Sequence, residues 1–300
     1  MSALSGRDAY RAELTELARH DPRVLCFEAD LGGRGHPFAR EHPERFFNLG
    51  IAEATMIDMA AALAVAGYKP FVSTFAPFAV LRAAESVKLS MGYLGAGVVV
   101  VAPYAGVSGA WFGTTHHCLE DLAVVQSFPG ITIAAPAGER EMRAVVRHAA
   151  ASSGPWYVRT GRNATPASVP FEGEVPPLVN WVSTDPSEVC LVSVGETGTE
   201  LALAAAGERS AAHAHLCFVD HASLTGAAVE LAARYRRFAV VEEHRPTGGV
   251  ASTLALLMPR CEVVGVNAGT AWTSEGGDHG EVLGRLGLDL AAVLSRLDAG

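Results

Sequence analysis

Aromatic residues are scarce in this chain of 300 residues, at 7%, although 49% of it is hydrophobic and glycine numbers 31. The core must therefore be built mostly from Ala, Val and Leu, as where helices pack closely on parallel sheets. The five cysteines, Cys26, Cys118, Cys190, Cys217 and Cys261, are odd in number, far apart and without a Cys-x-x-Cys pair. That pattern suggests neither a disulfide framework nor a zinc site, and no metal-ligating set is read in the chain. A basic excess is also missing. The net charge of −9 argues against a nucleic-acid partner, because phosphate backbones need a basic face. Local arginines must then hold any anionic substrate. No apolar run approaches the roughly 20 residues that span a bilayer, and Met1 to Asp8 lack the basic and apolar regions of a signal peptide. A cytoplasmic protein without a membrane partner is expected.

What is present is alternation. Residues Asp8 to His20 carry Tyr10, Leu14 and Leu17 at helical spacing, and 24–30 read as a buried strand. Strand-like runs at 71–73, 98–101, 131–133 and 157–158 are separated by helical stretches at 52–66, 78–90, 119–127 and 139–152. This rhythm predicts a parallel sheet covered on both faces. Ligands of such sheets sit beyond the carboxyl ends of the strands, where Asp30, Thr74 and the loop 102–117 fall. Pro166, Pro170, Pro176, Pro177 and Pro186 then interrupt all periodicity, the mark of a linker. A second alternation follows, with strands at 189–194, 215–219, 238–241 and 263–266. The prediction is an α/β fold of two doubly wound, mostly parallel-sheet domains, 1–165 and 188–300, joined by a linker at 166–187.

The most informative stretch is Arg45-Phe46-Phe47-Asn48-Leu49-Gly50-Ile51-Ala52-Glu53. It sets one acidic side chain at the start of a helix, behind an apolar strand and a glycine. The helix that follows, 54–66, is nearly all apolar, so burial of both its faces is expected. A carboxyl in such surroundings is costly to ionise, and a neutral carboxylic acid can donate to a ring nitrogen. On position alone, Glu53 serves the helix dipole equally well. Three further blocks follow in order: Pro70 to Phe78 with Arg82-Ala83-Ala84-Glu85, then Gly113-Thr114-Thr115-His116-His117-Cys118-Leu119-Glu120-Asp121, then Gly154-Pro155-Trp156-Tyr157-Val158-Arg159-Thr160-Gly161-Arg162.

These blocks resemble the pyrimidine-binding domain of transketolase, and the chain looks like the C-terminal subunit of a split, two-component transketolase of the thiamine-diphosphate superfamily. The resemblance implies that Glu53 binds the ring nitrogen of the cofactor's aminopyrimidine and shares a proton with it. Phe75 and Phe78 match the aromatic residues that stack on that ring, though core packing alone accounts for two phenylalanines. Asp30 and Leu31 match a pair beside the thiazolium, with a turn before Gly32-Gly33 as the plainer role of Asp30. Ile51 would line the same pocket, and Arg82 is placed there too, unless Arg82 and Glu85 form a surface ion pair. His116 matches a substrate-reaching histidine. Arg162 matches an arginine that grips substrate phosphate, with Arg159 and Arg34 available to help, although each also reads as solvated charge. The stretch Val241-Glu242-Glu243-His244 with Gly248-Gly249 resembles the C-terminal transketolase domain, which supports the dimer.

Three positions depart from the resemblance. Phe112 stands where an acidic residue binds a donor hydroxyl, Tyr104 where a histidine contacts phosphate, and Arg34 where serine is usual. They put ordinary sugar substrates in doubt while the cofactor residues persist. The Gly-Asp-Gly motif with a downstream Asn, which binds Mg²⁺ and the diphosphate in this superfamily, is not found in the sequence. A separate diphosphate-binding subunit, in an α2β2 heterotetramer, is therefore the expected partner. The resemblance leaves two rivals: the β subunit of a 2-oxo acid decarboxylase or dehydrogenase, and a non-catalytic regulatory subunit of the same fold.

Overall fold

The computed structural model describes residues 4–31, 35–162, 167–273 and 275–298. Arg34 and the predicted domain boundary at 165/166 lie outside the described residues. The first half builds six parallel strands: β1 (Val24–Glu28), β2 (Phe46–Asn48), β3 (Lys69–Ser73), β4 (Val99–Ala102), β5 (Thr132–Ala134) and β6 (Trp156–Arg159). Their order is β2-β1-β3-β4-β6-β5. Helices α1 (Gly6–His20), α2 (Pro37–Glu41), α3 (Glu53–Val65), α4 (Ala84–Ser86), α5 (Asp121–Gln126) and α6 (Glu139–Ala151) connect them. Every residue of β1, β4 and β6 is buried, which is why these strands read as apolar runs without alternation.

From β1 the chain crosses one way to β2 and back the other way to β3. The crevice beyond the carboxyl ends of β1 and β3 is thus a topological switch point, the usual ligand position in such sheets. Asp30 follows β1 there, and Thr74 and Phe75 follow β3.

The second half has β7 (Asn180–Ser183), β8 (Val189–Val194), β9 (Ala212–Leu216), β10 (Arg237–Glu242) and β11 (Glu262–Val266), in the order β11-β10-β8-β9-β7. All pairings are parallel except that of β7 with β9. Helices α7 (Gly195–Glu208), α8 (His221–Arg234), α9 (Val250–Leu257), α10 (His279–Arg285) and α11 (Leu290–Asp298) cover it. The edge strand β7 falls inside the stretch read as linker. Asn180-Trp181-Val182-Ser183 is too short between prolines to show a period, but its antiparallel pairing with β9 gives it a ladder. The halves join where Ala135 N–H donates to Cys217 O at 2.7 Å and Val219 N–H to Ile133 O at 2.9 Å.

Two further expectations change. Helix α3 buries Met56, Ile57, Ala60 and Ala61, but its opposite face is open, with Met59 43% and Val65 68% exposed. The stretch read as one helix over 78–90 is instead wound in wide π turns at Phe78–Arg82 and Val87–Tyr93, with α4 between. Such wide turns are frequent at functional sites. Among the described residues, no helix is long and apolar enough to cross a membrane.

Candidate active site

Glu53 opens α3 and is 2% exposed. Its Oε1 accepts from Arg82 Nη1 at 2.9 Å. Its Oε2 is buried without a partner, and leaving a carboxylate oxygen so placed costs free energy unless something else satisfies it. The surroundings are less apolar than expected. Arg82 pairs with Glu53 because the wide turn carries its guanidinium over the Phe78 ring, 4.2 Å from the centroid. The surface pair of Arg82 with Glu85 is therefore not what forms.

Beside this pair runs an aromatic wall. Phe75 and Phe78 are near-parallel with centroids 5.9 Å apart. His116 stands edge-on to both, at 6.0 and 5.3 Å, and Phe112 stacks on its ring at 4.5 Å. Burial, and then the nearby Arg82 charge, hold the His116 imidazole below its ordinary pKa, so it is neutral at pH 7 and can accept a hydrogen bond. Tyr104 packs on Phe75 at 4.1 Å, and Trp111, which sequence reasoning did not single out, packs edge-on to Tyr104 at 6.1 Å. Its only signal was a second aromatic beside Phe112, ahead of Gly113.

Two residues here hold backbone conformations that few non-glycine residues adopt: Asp30 at φ 53° and Tyr104 at φ 61°. Asp tolerates the left-handed region, but a bulky ring does not enter it without cost. Strain of this kind persists where surroundings over-determine it, and it clusters at sites. Asp30 is exposed, and its N–H donates to Asn48 Oδ1 at 3.3 Å, so it is a turn residue at the mouth of the crevice, with Leu31 half-buried next to it. Ile51 stands 73% exposed. Beneath this loop a cluster missed in the sequence holds β1 to its flanks: Glu28 accepts from Arg11 at 2.7 Å and lies 3.1 Å from His36 Nε2.

The arginines divide. Arg162 is exposed, with its guanidinium carbon 4.4 Å from the Trp111 centroid and 5.5 Å from that of Tyr104. Arg159 is not available to a substrate. It is 4% exposed, donating to Asp121 at 2.8 Å and to Glu243 O at 3.0 Å. Its strand position points it into the seam between the halves. There Glu243 accepts from Val107 N–H and from the Thr197 hydroxyl, both at 2.5 Å, and pairs with His279 at 3.1 Å. Gly106 permits this approach, since a Cβ there would lie 2.3 Å from the Glu243 carboxyl carbon.

Residues 2–168 match the family described as transketolase, pyrimidine binding domain. Over 254 residues the chain is 32% identical to a putative transketolase C-terminal section of Methanocaldococcus jannaschii, covering 83% of this chain and 80% of that protein. A 6-deoxy-6-sulfo-D-fructose transketolase subunit of Clostridium sp. is 36% identical over 155 residues, 51% of this chain and 48% of that one. Among solved structures, a split gene transketolase described as an inactive β4 tetramer superposes with a TM-score of 0.83 at 30% identity, over 99% of this chain and 98% of that one. The fold, the crevice at its switch point and these matches lead to one assignment: the chain belongs to the transketolase family, and over its length it corresponds to the C-terminal section that split-gene transketolases encode separately.

Proposed function

We propose that this chain is the pyrimidine-holding subunit of a two-component, thiamine-diphosphate-dependent transketolase that moves a two-carbon ketol unit from a ketose donor to an aldehyde acceptor. The observation that carries this reading is Glu53 Oε2, buried and unpartnered at the switch point, beside two near-parallel phenylalanine rings. Thiamine diphosphate, when bound, would supply a nucleophilic ring carbon for the transfer. The chain's own residues do the rest. Glu53 would present Oε2 to a ring nitrogen and share a proton with it, Phe75 and Phe78 would wall off the pyrimidine, and Asp30, Leu31 and Ile51 would border the thiazolium side. Neutral His116 hydrogen-bonds a substrate hydroxyl. Phe112 and Tyr104, where the resemblance implies hydroxyl-binding and phosphate-binding residues, favour a specialised substrate over ordinary sugar phosphates.

The diphosphate and Mg²⁺ fall to the partner subunit in this reading, and α2β2 is the assembly. Support comes from Met59 and Val65 on α3 and from Leu81, Leu89 and Tyr93 on the wide turns packed against it, which are 43 to 90% exposed. The five unpaired cysteines favour the cytoplasm. A carboxylate-binding Arg34 would favour the 2-oxo acid enzyme β subunit, and Arg34 lies outside the described residues. Calorimetric titration tests the split: thiamine diphosphate with Mg²⁺ should bind weakly or not at all to the isolated chain, and tightly once the partner is added. Tight Mg²⁺-dependent binding to the chain alone would overturn the division of labour.

A further inference from the structure

We propose that the acceptor used by this subunit has an apolar or aromatic body ending in a carboxylate, and that Arg162, framed by Trp111 and Tyr104, selects it. This narrows the ketol-transfer reading and rests on it. Arg162 lies at the far end of the aromatic wall from Glu53. The contacts run from Glu53 to Arg82, to Phe78, to Phe75, to Tyr104 and so to Arg162. With Phe75 and Phe78 taken by the cofactor's pyrimidine, a substrate extending from the cofactor passes Phe112 and Trp111 and reaches Arg162 with its tail.

The tail is set by the arginine. A guanidinium lying against Trp111 and Tyr104 loses stem freedom while its N–H groups stay free along the plane of the fork. Among the described residues it pairs with no carboxylate. One such fork satisfies the two oxygens of a carboxylate. A phosphate brings a third oxygen and a second charge, and the neighbours here are rings. Of the other arginines near the site, Arg159 is bound to Asp121 and Arg82 to Glu53.

The body is set by the wall. Tyr104 keeps its strained backbone with its ring buried against Phe75, and Gly109 makes room for it, since a Cβ there would meet the ring at 2.8 Å. Phe112 covers His116 from the other side. Sugar hydroxyls laid on the half-exposed Phe112 and Trp111 rings lose water without gaining partners, whereas an aromatic body stacks.

The probe is 4-carboxybenzaldehyde, titrated calorimetrically into the full chain assembled with its partner subunit, with benzaldehyde and ribose 5-phosphate as comparators. It should bind about tenfold or more tightly than either, the scale of one charged hydrogen-bonded pair. Arg162→Lys, which keeps the charge and loses the fork, should abolish that margin, and Trp111→Ala should weaken the probe in the same direction. Ribose 5-phosphate binding as tightly as the probe, or probe affinity unmoved in Arg162→Lys, overturns the inference. Ketol transfer by the same complex separates the two readings: transfer without a preference for the probe overturns the carboxylate assignment alone, and probe binding without any transfer overturns the transketolase reading and leaves the Arg162 site standing.

Discussion

Arg159 and Arg162 are three residues apart at the end of β6, yet they belong to two different kinds of surface. Arg159 is buried on Asp121 and the Glu243 carbonyl, in a seam where each charge meets a partner: Glu243 has His279 and Thr197, and Glu141 lies 3.0 Å from His215 with both fully buried. Arg162 stands exposed against rings. The same residue type serves as interdomain glue in one place and as an open ligand in the other, and what separates them is whether a carboxylate already stands beside the guanidinium. A guanidinium already paired with a buried carboxylate holds two halves together; one that faces only half-exposed aromatics awaits something from outside.

The comparison breaks most sharply in stability. Arg159→Met strands Asp121 in the seam, and removing one member of a buried pair costs about 3–5 kcal/mol. Arg162→Met, at an exposed site, should stay within about 0.5 kcal/mol of the parent. Urea unfolding of the two variants measures both, and equal losses would erase the distinction drawn here.

Chemistry supplies the next contrast. Glu53→Gln keeps the shape and the Arg82 contact but cannot transfer a proton to or from the ring. Turnover of the reconstituted complex should fall by about 10²-fold or more, the scale of a missing acid–base group, with assembly unchanged by sedimentation. Near-normal turnover would remove Glu53 from the mechanism.

The seam and the site were unequally legible in the sequence. Apolar runs such as Val98–Val101 and Val189–Val194 announce buried parallel strands, and a glutamate opening an apolar helix announces a special carboxyl, because each signal is local. Partnerships are not. Arg82 is placed at the pocket by resemblance alone, with Glu85, three residues away, as the partner its spacing offers, but a wide π turn that leaves no periodic mark carries it to Glu53, 29 residues back. Arg159 reads in the sequence as a helper to Arg162 or as solvated charge, because nothing near it in the chain shows Asp121 or Glu243 waiting behind the strand. Both faces of α3 were expected to be buried on composition, and composition does not say whether the burying surface comes from the same chain. Trp111 carried no motif, and its meaning comes from Arg162, 51 positions on.

The smallest effect expected sharpens the seam side through pH. Burial alone would raise the Glu243 pKa, but His279 and the hydrogen bonds from Thr197 and Val107 hold it below its ordinary 4.5. Burial would lower that of His279, but Glu243 first, with Glu200 and Glu196 behind it, holds it above its ordinary 6.5. The signs give a window. A depressed carboxylate contributes stability that is present above 4.5 and lost as pH falls through its folded pKa; a raised histidine contributes stability that is complete below 6.5 and lost as pH rises through its folded pKa. His279→Gln keeps a donor and loses the charge, so the parent should exceed it by about 1 kcal/mol near pH 5.5, with the gap shrinking near pH 8.5. His213, which burial pushes down to about 3, works the other way, removing stability as pH falls below 6.5, but it is present in both proteins and cancels in the difference. Urea unfolding of parent and variant at the two pH values reads the gap directly. A gap that is constant or grows with pH would mean that the histidine is neutral in the fold and that the seam is held by hydrogen bonds alone.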